Sequence, residues 1–172
     1  MNVVDVNNTI YFYGIYDEYY CFSNFYKCGF NDENLTYNCS EQYFMKKKQE
    51  QFDPENDNLA NDIMKTDSPA QIKKFGRMVK NYDENEWNKK RFNYMCDAIY
   101  LKFSQNIELK NILISTDNKI LVEASPYDKI WGIGISPEDA KKGKKWNGQN
   151  LLGLALMKVR SIIMSNNIEL NS

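Results

Sequence analysis

Apolar residues recur at three- and four-residue steps over two long stretches of the chain. From Glu84 to Ser104 they fall at Trp87, Tyr94, Met95, Ala98, Ile99 and Phe103, with Arg91 in the same register, and predict the longest helix. From Gln149 to Ser165 the stripe is Leu152, Leu156 and Val159, continued by Ile163, which predicts an amphipathic closing helix. Ile10 to Gly14 is aromatic and β-prone, and Lys119 to Ala124 alternates with β-branched residues, so both read as strands. Cys21 to Tyr26 is aromatic but broken by Ser23 and Asn24, which suits a loop or a strand edge. Gly29 to Asn34 reads as a turn joining two short strands.

Further helices are marked by their ends. Asn38-Cys-Ser-Glu41 reads as a capping box, with Asn38 as N-cap and Glu41 at the third position, opening a helix to about Gln51. Asn58 to Lys65 and Glu108 to Ser115 make short helices. Ser68-Pro69 starts another, which Gly76 ends or turns into a close approach. Helices outweigh strands and do not alternate with them regularly. The expectation is one α+β domain over 1–172, helix-rich, with a small, largely antiparallel β-sheet.

Composition narrows the chemistry. The 172 residues contain no histidine, so Ser-His-Asp and Cys-His mechanisms and His-based metal sites are excluded. Acid–base work falls to carboxylates, Lys, Tyr, Cys, backbone or water. With 22 basic and 23 acidic residues the net charge is −1, and stable binding to long nucleic acid is not expected. The longest apolar run, Leu151 to Met157, is far too short to span a membrane. The opening Met-Asn-Val-Val-Asp-Val lacks the bases of an export signal, which points to the cytoplasm. The cysteines at 21, 28, 39 and 96 show no Cys-x-x-Cys spacing and read as reduced, mostly buried thiols.

Several groupings could carry chemistry. Asp128-Lys-Ile-Trp-Gly-Ile-Gly134 sets a carboxylate near an aromatic plate, and Gly132 and Gly134 allow close backbone approach to a ligand; a turn with a core Trp is the plain alternative. Glu41 at a helix start would stay ionised, as suits a base or a stabiliser of positive charge, or simply a capping box. In Phe22-Ser-Asn-Phe25, aromatics flank small polar groups that could stack and hydrogen-bond a planar base, or fill a core. The arginines are at 77, 91 and 160, leaving few bidentate anion binders, and Lys141 to Lys145 is a basic loop.

In order along the chain these pieces resemble the NADAR family, also described as YbiA-like N-glycosidases. The landmarks run from about Tyr11 to Ile163. They are Phe22-Ser-Asn-Phe25, Ser40-Glu-Gln-Tyr-Phe44 with Lys48, Ser68-Pro69, Gly76-Arg77, Trp87, Met95, Lys102-Phe103, Leu121-Val-Glu-Ala124, Asp128, Trp131-Gly-Ile-Gly134, Gly148-Gln-Asn150, Leu152-Gly153 and Leu156 to Arg160. Relatives often carry His directly after the motif Glu. This chain has Gln42, so any role of that imidazole is lost or passed to an amide, and a structural role is expected.

The resemblance implies an N-glycosidase that needs no cofactor and no metal and splits a ribose C1–N bond. Two substrate classes follow from it: phosphoribosylamino-pyrimidine intermediates of riboflavin biosynthesis, the leading expectation, and ADP-ribose on guanine. A non-catalytic ADP-ribose or nucleotide binder is the alternative of another class. Such cleavage builds an oxocarbenium-like sugar and needs a carboxylate near C1, a positioned water and help for the leaving nitrogen. Glu41 and Asp128 are the expected carboxylates, with Glu41 favoured as water-positioning base or cation stabiliser and Asp128 as its partner or a ribose-hydroxyl ligand, an assignment that could be reversed. Lys48, with Lys102 in reserve, could instead form a Schiff base. Phe22 or Phe25 and Trp131 would stack the base, Ser23, Asn24 and Asn150 would hydrogen-bond it or the ribose, and Arg77 would hold phosphate. Trp87, Gly132 and Gly134 complete the expected binding residues.

Overall fold

A computed structural model describes residues 6–33 and 35–170. In chain order its strands are β1 (Thr9–Phe12), β2 (Phe30–Asp32), β3 (Leu35–Tyr37) and β4 (Ile120–Glu123). Its helices are α1 (Ser40–Phe52), α2 (Asp57–Lys65), α3 (Pro69–Gly76), α4 (Glu84–Gln105), α5 (Ile107–Ser115), α6 (Pro137–Lys141) and α7 (Leu151–Leu170). The α+β expectation stands. The chain forms two compact units: Asn24–Asn106, and the segment up to Ser23 together with the segment from Ile107 onward.

In the split unit β1 and β4 pair in parallel, Tyr11 beside Val122 and Phe12 beside Glu123. The sequence pattern leads to a largely antiparallel sheet, yet a parallel pair needs only a long connection, and here the whole other unit lies between the strands in sequence. Tyr11, Val122, Ala124 and Ile133 form an apolar cluster on one side of the pair. The closing helix buries its predicted stripe: Leu152, Leu156, Val159 and Ile163 are all core residues. Gly153 is where α7 meets β4, because a Cβ there would collide with the Leu121 carbonyl oxygen. Arg160 is buried on α7 and donates to Thr116 Oγ1 at 2.7 Å, so it is a core tie and not an anion binder. The short α6, capped by Ser136 with Pro137 behind it, is an addition to the expected elements, although it repeats the Ser68-Pro69 signal.

In the Asn24–Asn106 unit β2 and β3 form an antiparallel hairpin. Asn34, at the end of the expected turn, lies outside the described residues. The Phe30, Tyr37 and Tyr43 rings cluster on the hairpin. Ser68 caps α3 as expected, accepting from the Gln71 N–H at 3.4 Å. The start of α1 differs from expectation. Cys39, in extended conformation, is the N-cap and gives no side-chain cap bond, so Glu41 is the second helical residue. The reason is Gln42, whose Oε1 reaches back to the Asn38 N–H at 2.8 Å while its Nε2 donates to the Ile63, Met64 and Thr66 carbonyls. The Gln42 amide therefore ties α1 to the end of α2.

All four cysteines are free thiols, three of them buried. Among the described residues, no helix is long and apolar enough to cross a membrane.

Candidate active site

The expected site residues divide between the units. In Asn24–Asn106 the centre is α1. Glu41 is buried, and its backbone N–H donates to the Asn24 carbonyl at 3.0 Å, which fixes the aromatic motif to the helix start. Asn24 Oδ1 and Ser40 Oγ are shielded from solvent and take no hydrogen bond from any described residue. Buried polar atoms of this kind mark a place that calls for a partner.

Lys48 stands seven positions beyond Glu41, two turns along the same face of α1. It is half-buried, donates to the Gly76 carbonyl at 2.8 Å and lies over the Tyr82 ring, 4.2 Å from its centroid. Burial pulls its amine below the usual lysine range, and the Glu41 charge partly opposes this. The close approach of α3 requires glycine at Gly76, where a Cβ would overlap the Met45 side chain. Tyr82 carries no signal in the sequence, being a lone Tyr between Asn81 and Asp83. Arg77, the C-cap of α3, is exposed, as an anion contact requires.

Phe25 is half-buried with the Lys73 ammonium 5.8 Å from its ring centroid. Trp87 is buried among Phe44, Phe52 and Tyr94, with centroids at 4.9, 6.1 and 5.7 Å, so it backs α1 from the core. Lys102 is 1% exposed, against Tyr26 and Phe103, which leaves Lys48 the more accessible amine. Cys39 is fully buried, and burial pushes its thiol up to about 11. A separate open cavity of about 460 Å³, between Lys27, Thr36, Asn38 and Met64, is lined by none of the expected site residues.

In the other unit the loop after β4 is built by hydrogen bonds. Ser125 Oγ accepts from the Tyr127 and Asp128 N–H groups at 3.3 and 3.2 Å. Asp128 Oδ1 accepts from the Ile130 and Trp131 N–H groups, both at 2.8 Å. Its carbonyl accepts from the Gly134 N–H, and Gly134 has φ +70, which favours glycine. Gly132 is required because a Cβ there would lie 2.9 Å from the Asp128 and Glu123 carbonyl oxygens. The Trp131 carbonyl takes the Leu152 N–H of α7 at 3.1 Å, leaving a half-buried indole on a rigid loop.

Two expected ligand contacts are structural instead. Phe22 is 1% exposed, stacked on Tyr19 at 5.3 Å and edge-on to Phe12 at 5.6 Å, so neither face is open to a base; Ser23, directly after it, is half-buried. Asn150 is 4% exposed and uses both ends of its amide on β4, accepting from the Glu123 N–H at 3.0 Å and donating to the Leu121 carbonyl at 2.9 Å. Both commitments depend on residues distant in sequence, which local motifs do not reveal.

The NADAR domain model matches residues 11–164, covering both units. N-glycosidase R617 of Acanthamoeba polyphaga mimivirus is 46% identical over 100 residues, 57% of this chain and 59% of that protein. The maize protein named Riboflavin biosynthesis protein PYRR, chloroplastic, is 34% identical over 91% of this chain, which spans 25% of that longer protein. The NMR structure of Escherichia coli YbiA gives a TM-score of 0.77 at 28% identity, covering 94% of this chain and 89% of that one.

Proposed function

The chain belongs to the NADAR family, and we propose that it hydrolyses the ribose C1–N bond of phosphoribosylamino-pyrimidines of the riboflavin pathway. The enzyme class, a hydrolase of N-glycosyl bonds, accords with relatives that carry the name N-glycosidase. The substrate class is supported by the likeness to the maize riboflavin biosynthesis protein.

The observation that carries the chemistry is the Glu41 and Lys48 pair on α1. A half-buried amine drawn toward its neutral form is matched to attack on C1 of the opened sugar. Its nitrogen replaces the base nitrogen at C1, the base leaves with a proton, and water hydrolyses the resulting Schiff base to ribose 5-phosphate. Glu41 takes the proton from that water and stabilises the positive charge on the way. Within the Asn24–Asn106 unit Phe25 stacks the base, Asn24 bonds its edge and Arg77 holds the phosphate. In the other unit Asp128 keeps the Trp131 loop in shape through Oδ1.

The test is incubation of the purified protein, with and without EDTA, with the phosphoribosylamino-pyrimidine and with an oligonucleotide bearing ADP-ribosylated guanine. Mass spectrometry follows the released sugar. Ribose 5-phosphate from the first substrate, unchanged by EDTA, is the expected result. Turnover of the second substrate alone replaces this reading with removal of ADP-ribose from guanine. A folded protein silent on both overturns this reading and favours the nucleotide-binding module.

A further inference from the structure

Ser40 and Asn24 meet at the start of α1. The Glu41 N–H donates to the Asn24 carbonyl at 3.0 Å, and Ser40 directly precedes Glu41, so the two residues flank one hydrogen bond. All three belong to the Asn24–Asn106 unit. Ser40 is 0% and Asn24 9% exposed. Ser40 Oγ and Asn24 Oδ1 share no hydrogen bond with any described residue.

A helical serine ordinarily faces solvent or bonds the carbonyl four positions back. Ser40 does neither. It is the first residue of α1, the residue four back is Thr36 in β3, and Cys39 holds the cap position. Packing alone does not call for a hydroxyl there, because alanine fills the same place with no polar atom to satisfy. The Asn24 oxygen can only accept, whereas the Ser40 hydroxyl can donate and accept. Together they suit a small group that donates to one and accepts from the other. Buried waters take such positions, commonly with about three protein partners. Glu41, acting as base, supplies the third.

We propose that Ser40 is a positioning residue that, with Asn24 Oδ1, holds the water that hydrolyses the Schiff base. This rests on the reading of the chain as an N-glycosidase that works through Lys48. The water accepts from the Ser40 hydroxyl and donates to Asn24 Oδ1. It gives its other proton to Glu41 as its oxygen bonds to C1 of the iminium. Glu41 then returns that proton to the Lys48 nitrogen, and the C1–N bond breaks. The proton left on the C1 oxygen passes to the released amine, and ribose 5-phosphate leaves as the aldehyde. Asn24 bonds the base edge in the first step and the water in the second, once the base has gone.

The experiment follows base release and sugar release separately, by rapid quench, in the wild type and Ser40→Ala, with borohydride trapping of the adduct during turnover of the ribosylamine. In Ser40→Ala the first base release is expected at the wild-type rate. Sugar release slows by roughly tenfold, and the trapped fraction of enzyme rises. The melting temperature stays at or above that of the wild type, since the hydroxyl has no hydrogen bond to a described residue to lose. If alanine prevents folding, Ser40→Cys, close in size and weaker in hydrogen bonding, carries the same test. A merely structural role slows both releases together and traps no extra adduct. That result, or wild-type rates in both steps, overturns the Ser40 assignment and leaves the N-glycosidase reading standing. An active wild type that never traps removes the covalent step and this proposal with it, and leaves the enzyme class. A wild type that does not turn over the ribosylamine removes both readings.

Discussion

The ammonium of Lys48 sits 4.2 Å from the centroid of the Tyr82 ring, and its third neighbour, after the Gly76 carbonyl, is the charge of Glu41. These contacts favour the protonated amine, and burial favours the neutral one. Burial wins, because the amine lies below the usual lysine range.

The first prediction follows from that balance. Lys48 loses its proton at lower pH than an exposed lysine, so borohydride trapping with substrate rises with pH in a range where surface lysines stay charged. Glu41→Gln removes the opposing charge and moves the Lys48 titration lower still, while turnover falls. Trapped adduct is expected in the wild type and none in Lys48→Ala. An active enzyme that never traps would return the chemistry to direct attack by water, with Glu41 as base.

Gln42 tests the tie between α1 and α2. It is 1% exposed and bonds the Asn38 N–H and the Ile63, Met64 and Thr66 carbonyls. Gln42→Ala leaves buried backbone groups unsatisfied, at a cost of about 2–3 kcal/mol in urea unfolding. Gln42→His keeps one donor and one acceptor and is expected to lose less. Equal losses in both variants would show that the amide bonds are not what holds this corner.

Asn150 makes a comparable tie in the other unit, from a left-handed backbone with φ +54. Asn150→Gly keeps the backbone at ease and loses only the bonds to Leu121 and Glu123, about 2 kcal/mol. Asn150→Ala adds the strain of a Cβ in that conformation and is expected to be worse by about 1 kcal/mol. Thermal melts that rank alanine above glycine would contradict this account.

What the sequence made legible is what depends on neighbours a few positions away. The stripe from Leu152 to Ile163 and the Ser68-Pro69 cap needed only helical spacing, and the structure has both. The parallel partnership of β1 with β4 joins distant segments, and no local signal specifies it. The cap of α1 falls on Cys39 and not on Asn38 because the Gln42 side chain claims the Asn38 N–H. The site shows the same division. Glu41 and Lys48 fall on one face of a helix that its start signal located. Phe22 and Asn150, motif residues of suitable chemistry, are taken by the core and by β4, partners that spacing alone does not name.

Asp128 separates shape from charge. Its Oδ1 accepts from the Ile130 and Trp131 N–H groups and so closes the turn that carries the indole. An asparagine side chain at this position would keep an oxygen where Oδ1 stands and lose the charge; alanine loses both. Asp128→Asn should therefore melt near the wild type, whereas Asp128→Ala should lose about 1–3 kcal/mol, since two turn amides lose their acceptor. Tryptophan fluorescence should follow the same order, because the turn fixes Trp131. Turnover adds the second axis. A use of the Asp128 charge in turnover makes the asparagine variant slow though its loop is intact, and the alanine variant slower again. Full activity in Asp128→Asn would confine this residue to holding the loop.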